Sequence, residues 1–339
     1  MTDFAELTSL PGTDRERSWL ERRLTFLSEK EKYIVSAIII GRQPASMAEA
    51  INQLLTIGDY EVCFPAGSYR ELGEFYLRHE AKLPDNAFPY VDFEQFGWLY
   101  EDKHPGLFIG NCFVVYPSAP ATQHYANQND TIPEDNDWSL MVKLASPSVP
   151  EGVWLRLPDC SRINGGRPDE VAVVLDTLKV RSLESCVLLN AICSLPEAGN
   201  IMAQYSDPVE LVNDGDDLGY VLDEQGQGMP NFMEKFFAAL EYEGCRSLRF
   251  ALDISQNLHC YEWVSRNNLK DFGKARLRES GVSPELIDSG YIDLDAYAAD
   301  LLESEGYTLT NDKSAYIARN DKEFIYERST PEEAGMTMH

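Results

Sequence analysis

The chain writes one pattern twice, and that repeat constrains its fold more than any other feature. The stretch "YRELGEFYLR" (69–78) lies on "LKDFGKARLR" (269–278), with Gly73 on Gly273 and Arg78 on Arg278. Tyr60-Glu61 matches Tyr261-Glu262, Pro84 falls on Pro284, and "YVDFEQF" (90–96) falls on "YIDLDAY" (291–297). Upstream, "EKYIVSA" (31–37) can be laid on "EKFFAAL" (234–240). Self-similarity of this kind means one structural unit built twice. Residues from about 20 to 118 and from about 230 to 320 are therefore expected to be two copies of one module.

Within the repeated block the period is helical. Leu294, Tyr297, Ala298 and Leu301 fall on one face, and the first copy puts Phe93, Phe96, Gly97 and Tyr100 there. The repeated aromatics, with Trp98, Trp138, Trp154 and Trp263, are expected to be core residues. Asp293 and Asp295 stand where an N-cap and first turn favour carboxylates. Asp300 and Glu303 lie on the opposite face, spaced i, i+3 and so roughly 5–6 Å apart. After each helix the chain turns strand-like, over 108–116 and 307–319, as short hairpins or single strands.

Between the copies, 117–137 is rich in Pro, Asn and Asp and reads as a linker. "WSLMVKLAS" (138–146), "GVWLRLP" (152–158) and "CVLLNAICSL" (186–195) read as strands, and 168–180 as an amphipathic helix. The stretch 205–231 reads as an acidic, turn-rich connector. The expected class is α+β, with small antiparallel sheets and helices in an elongated multi-domain chain that carries a duplicated, mostly helical module. Its expected parts are an N-terminal partial repeat module (1–120), a linker (121–137), a small α/β domain (138–205), an acidic connector (206–230) and a C-terminal repeat module (231–339).

Hydrophobic residues make up 44% of the 339, which argues for packed cores and against wholesale disorder. Yet 56 acidic residues face 29 basic ones, a formal net charge of -27. That exceeds what solubility asks of a chain and strains the compact state by self-repulsion. The first 125 residues hold 18 acidic and 11 basic residues, and the remainder holds 38 and 18, so the later part carries most of the excess. No Lys, Arg or His occurs between Arg181 and Lys235, or between Arg278 and Lys313. Ordinary surfaces intersperse both signs. Two long base-free windows point to carboxylates kept for a cationic partner, and direct nucleic-acid binding is disfavoured because phosphates would be repelled. Duplex DNA presents one negative charge per roughly 1.7 Å of axis. Outward carboxylates on successive helices can approach that density.

Enzymatic chemistry finds no foothold in the residue pattern. The five histidines form no H-x-H or H-E-x-x-H motif, and no Walker loop is present. Asp214 to Gln225 matches a calcium loop poorly, since Leu218 takes the fifth position and Gln225 the twelfth. No catalytic, metal or cofactor residue is assigned, and no cofactor is expected. Seven cysteines without C-x-x-C spacing suit reduced thiols. No signal peptide and no apolar run of membrane length is seen, so a cytoplasmic protein without membrane contact is expected.

The order strand, helix, strand, acidic connector, followed by "NLHCYEW", "LKDFGKARL" and "YIDLDAYAADLLESEGYTLTNDKSAYIA", resembles the ArdA-type antirestriction proteins of conjugative elements, over roughly Trp138 to Asn320. The resemblance implies a non-enzymatic function. Proteins of that family are elongated acidic homodimers that imitate bent B-form DNA. They occupy the DNA groove of type I restriction–modification enzymes, in the methyltransferase core. On this sequence the phosphate-mimic candidates, chosen by charge and expected exposure, are Asp207, Glu210, Asp214, Asp216, Asp217, Asp223 and Glu224 in the connector. Asp293, Asp300, Glu303 and Glu305 in the helical copy join them. The implied partner is a type I enzyme or another DNA-binding protein. The alternative is a non-catalytic regulatory or scaffold protein of a mobile element, bound to a basic partner. This chain departs from the short proteins of the family in its duplicated module, which can replace the homodimer partner or add to it.

Overall fold

The computed structural model describes residues 3–126, 131–133, 138–159, 170–225 and 228–330, apart from the side chains of Asp85, Glu224 and Gln225. Among them, 14 helices and three small antiparallel sheets make an α+β chain that is 52% helical. It divides into two compact units, Met1–Ser194 with Asp207–Asp216, and Leu195–Ser206 with Asp217–His339.

The first unit begins with helices α1 (Ala5–Thr8), α2 (Asp14–Thr25), α3 (Glu29–Ala37), α4 (Met47–Leu55), α5 (Tyr69–Phe75) and α6 (Phe93–Lys103). Four of these start on a Ser or Thr followed three residues later by Glu, a pattern that satisfies the orphan amides of a first turn. Thr13 with Glu16 and Ser28 with Glu31 form full capping boxes. Ser46 and Ser68 cap α4 and α5. Asp92 caps α6 through the Gln95 N–H.

Strands β1 (Glu61–Cys63), β2 (Gly106–Ile109) and β3 (Cys112–Val115) pair antiparallel in the order β1-β3-β2. Alternation along β3 divides the core. Cys112 and Val114, with Val62, join Ile34, Val35, Ile51 and Leu54 of α3 and α4. Phe113 and Val115, with Cys63, join Leu72, Phe75 and Tyr100 of α5 and α6. Helices α5 and α6 touch backbone to backbone. A Cβ on Gly73 would overlap the Phe93 carbonyl oxygen, and one on Gly97 the Tyr69 carbonyl oxygen.

Downstream, β4 (Leu140–Ser146), β5 (Val149–Leu157) and β6 (Val187–Cys193) form a sheet in the order β5-β4-β6, with α7 (Glu170–Leu178) packed on β5. All four elements lie where hydrophobic patterning places them. Leu140, Val142 and Leu144 of β4 and Val153, Leu155 and Leu157 of β5 are buried, as are Val171, Val173, Val174 and Leu178 of α7.

The acidic stretch after β6 corrects the expectation of a turn-rich connector. Helix α8 (Ile201–Gln204) is followed by α9 (Pro208–Tyr220), a 13-residue helix that runs into one π-helical turn at Val221–Gln225. Asp207 holds the Val209 N–H at its start, and Pro208 takes the first helical position, where a missing N–H is harmless. Leu211, Val212, Leu218 and Val221 are buried, and their helical spacing outweighs the Asn, Asp and Gly content.

The second unit contains α10 (Phe232–Glu243), α11 (Leu248–Gln256), α12 (Leu269–Glu279), α13 (Pro284–Ile287) and α14 (Leu294–Ser304), with β7 (Tyr261–Ser265), β8 (Thr308–Leu309) and β9 (Ala315–Arg319). The sheet order β7-β9-β8 repeats β1-β3-β2, and α11, α12 and α14 repeat α4, α5 and α6. The duplicated module is thus present twice as a fold. In the second copy Gly273 is retained, but Ala298 stands where the first copy has Gly97.

Each copy runs on past its last strand as a strap over the helix before β1 or β7. Asn52 of α4 accepts the N–H groups of His124 and Tyr125, both at 2.9 Å, and donates to the Tyr125 carbonyl. Tyr125 and Ile132 are buried, so part of the expected linker belongs to the first core. In the second copy the fully buried Asn257 accepts the Ile325 N–H at 2.7 Å and donates to the Tyr326 carbonyl at 2.6 Å. Asp253 accepts the N–H groups of Arg328 and Ser329, both at 2.8 Å. Asn257→Ala is expected to cost about 2 kcal/mol, because it leaves strap amides without an acceptor. Urea unfolding measures the loss, and faster tryptic cleavage at Lys322 and Arg328 reports the freed strap.

Candidate functional site

The acids picked out by charge fall into different environments. On α14, Asp293 caps the helix by accepting the Ala296 N–H at 3.1 Å, as its position predicts. Asp300 and Glu303 are exposed, and Glu303 also accepts the Tyr316 hydroxyl at 3.5 Å. Asp207 is exposed with one oxygen on the first turn of α9, and Glu210 is exposed one turn on. Among the described residues no ion pair engages Asp207, Asp293, Asp300 or Glu303.

The other candidates are placed differently. Asp214 and Asp216 are only 8% and 9% exposed, which corrects their assignment to the outward face. Asp214 stands i+3 from Leu211 and i−4 from Leu218, so the apolar stripe of α9 carries it inward. Asp216 accepts the Asp159 N–H at 2.7 Å and serves the fold. Asp217 pairs with Arg328 at 2.5 Å, and Glu305 pairs with Arg276 at 2.7 Å. Asp223 is half-buried, and the side chain of Glu224 lies outside the described residues.

The second base-free window is base-free in sequence but not in space. Helix α12 brings Lys270 to Asp295, Lys274 to Asp288 and Arg276 to Glu305. The hydrogen bond and charge of Lys274 hold the Asp288 carboxyl below the usual range. Exposed pairs of this kind add little stability, but they neutralise local charge. The acid left over faces outward on α14.

The corresponding face of α6 keeps an exposed acid, Asp102, at the position of Glu303 but is apolar beside it. Trp98 is 51% exposed and Leu99 is exposed beside it, where the second copy has Ala299 and Asp300. The expectation that Trp98 is core is corrected, because the 3.6 period places it away from buried Gly97 and Tyr100. Tyr100 does lie in the core, where it donates to Glu80 at 2.9 Å. The repeated Tyr90 and Tyr291 do not, standing 89% and 93% exposed. The repeat groups them with the packing aromatics, but their place outside the helical period, two residues before the capping aspartate, sets them apart.

No family model, curated protein or solved structure matches this chain. Among the described residues no cluster of three or more His, Cys, Asp or Glu side chains could hold a metal ion, and no helix is long and apolar enough to cross a membrane. Six of the seven cysteines are described and are free thiols, five of them buried. Cys160 lies outside the described residues.

Proposed function

We propose that this chain is a DNA-mimic antirestriction protein, a polyanionic decoy for the DNA-binding groove of a type I restriction–modification enzyme. The observation that carries the reading is the exposed acid of α14 and the start of α9. Asp207, Glu210, Asp300 and Glu303 face solvent within stretches from which the sequence excludes cations. A groove that binds duplex DNA displays Lys and Arg to phosphates. The same cations are attracted to carboxylates spaced along a helix at roughly 5–6 Å. The resemblance to the ArdA-type family supports the reading in kind. The decoy works by occupancy and has no chemical step. It gains speed from electrostatic steering and loses affinity as salt rises.

The ion pairs of α12 limit the acidic face of α14 and favour a structural role for Asp288, Asp295 and Glu305. The test is a restriction assay with a purified type I enzyme, unmethylated plasmid and the intact chain. Inhibition is expected to weaken with salt. Replacing Glu303 with Gln and Asp300 with Asn is expected to raise the inhibitory concentration about fivefold or more, from about 0.5 kcal/mol or more per lost charge contact, with unfolding midpoints unchanged or higher. Full inhibition by the neutralised chain would reject the decoy and leave the alternative of a regulatory scaffold.

A further inference from the structure

Both copies of the module leave a tyrosine standing in water at the same place. Tyr90 and Tyr291 each precede by two residues the aspartate that caps the next helix, Asp92 or Asp293. Tyr90 closes the short 3-10 turn Asp85–Tyr90, and Val91 after it is extended (φ -110°, ψ 135°) and half-buried. Ile292 is likewise half-buried. The two rings add almost nothing to either core. Residues of the helix that follows differ between the copies: Gly97 against Ala298, Phe96 against Tyr297, Leu99 against Asp300. The exposed Tyr-x-Asp is the same in both.

The surroundings of each ring are acidic. Asp92 and Glu94 are exposed after Tyr90, and Asp293 is exposed after Tyr291, while Asp288 before it is already paired with Lys274 at 2.7 Å. Elsewhere the chain lays guanidinium groups on aromatic faces, with Arg78 at 4.3 Å from the Phe88 ring and Arg70 at 5.5 Å from the Phe93 ring. Among the described residues no Lys or Arg covers Tyr90 or Tyr291. An aromatic face beside carboxylates fits one cation best. Guanidinium is planar and weakly hydrated, so it stacks on a ring while its edge bonds a carboxylate, whereas an ammonium stays hydrated as a point charge.

We infer that Tyr90 and Tyr291 are arginine-selective anchors, each stacking a guanidinium of the basic partner while the adjacent carboxylates take its charge. The inference rests on the decoy reading and adds specificity to it: charge alone attracts any polycation, and the rings select arginine over lysine. Each module carries its own anchor, so the assignment holds for each unit separately.

The test uses the intact chain with arginine and lysine homopolymers of matched length, titrated by fluorescence anisotropy at several salt concentrations. The quantity read is the ratio of the two affinities. In the double variant Tyr90→Leu, Tyr291→Leu the ratio is expected to fall about fivefold or more, with lysine-polymer affinity unchanged. Tyr90→Phe, Tyr291→Phe is expected to keep the ratio of the parent chain, because the ring face remains. Circular dichroism confirms that the variants fold. A ratio unaltered by the leucine substitutions overturns the anchors, and so does an equal drop for both polymers. A chain that fails to inhibit the restriction enzyme but shows the tyrosine-dependent ratio would reject the decoy and leave the anchors standing.

Discussion

Gly97→Ala is expected to destabilise the first module by about 3 kcal/mol, and Gly73→Ala by a similar amount. Alanine is the better helix former by roughly 1 kcal/mol, so propensity alone predicts the opposite sign. Sterics decide. The new methyl group would meet a backbone carbonyl oxygen, of Tyr69 in one case and Phe93 in the other, and neither oxygen can swing aside as a side-chain end could. Helices α5 and α6 would have to separate, loosening Leu72, Phe75 and Tyr100 against Phe113. The second copy supplies the control. A Cβ on Gly273 would lie 2.9 Å from the Leu294 carbonyl oxygen, so Gly273→Ala asks for a small shift and is expected to cost about 1 kcal/mol or less. Urea unfolding of the three variants measures the contrast. Equal values for Gly97 and Gly273 would refute the close approach in the first copy.

Glu170→Gln is expected to remove a pH dependence worth roughly 3 kcal/mol between pH 4.5 and 7.5. Glu170 opens α7, fully buried, and its Oε2 has no hydrogen-bond partner among the described residues. Its pKa is raised to about 7, mainly by burial; Lys30 and the Ser28 hydroxyl act against the rise, and Glu31 and Asp159 add to it. The sign follows from proton counting. Between its ordinary value of 4.5 and about 7, the folded chain holds a proton that the unfolded chain has released. Stability from this group is full below pH 4.5, falls as pH rises, and levels off above pH 7. Wild-type urea midpoints at pH 5 and pH 8 should therefore differ more than those of the Gln variant. Parallel profiles would show that Glu170 titrates normally.

Period-2 and period-3.6 signals were legible, and strong. The three strands and the helix between the copies, the paired helices and hairpins of the repeat, and the Asp293 cap follow from spacing alone. What failed was composition. Asp, Asn and Gly between 205 and 220 suggested turns, but Leu211, Leu218 and Val221 at helical spacing with Pro208 at the first position were the stronger evidence. The same stripe would have withdrawn Asp214 from the exposed set. Pairing across elements was beyond reach. Nothing in 279–312 announces that Lys270, Lys274 and Arg276 return from the preceding helix to meet its acids. The strap on Asn257 was equally hidden, because a buried amide that accepts from backbone N–H groups leaves no pattern in the strap itself. The candidate site was therefore legible as charge, and not as geometry.

Two modules of one topology in a single chain invite misassembly during synthesis, when an element of one copy can dock in the other. The residue at the tightest helix crossing guards against one such exchange. If α14 took the place of α6 on α5, the Ala298 methyl would arrive where the Tyr69 carbonyl oxygen already lies. A single methyl group thereby acts as a molecular key, admitting α14 to its own groove and barring it from that of the first copy.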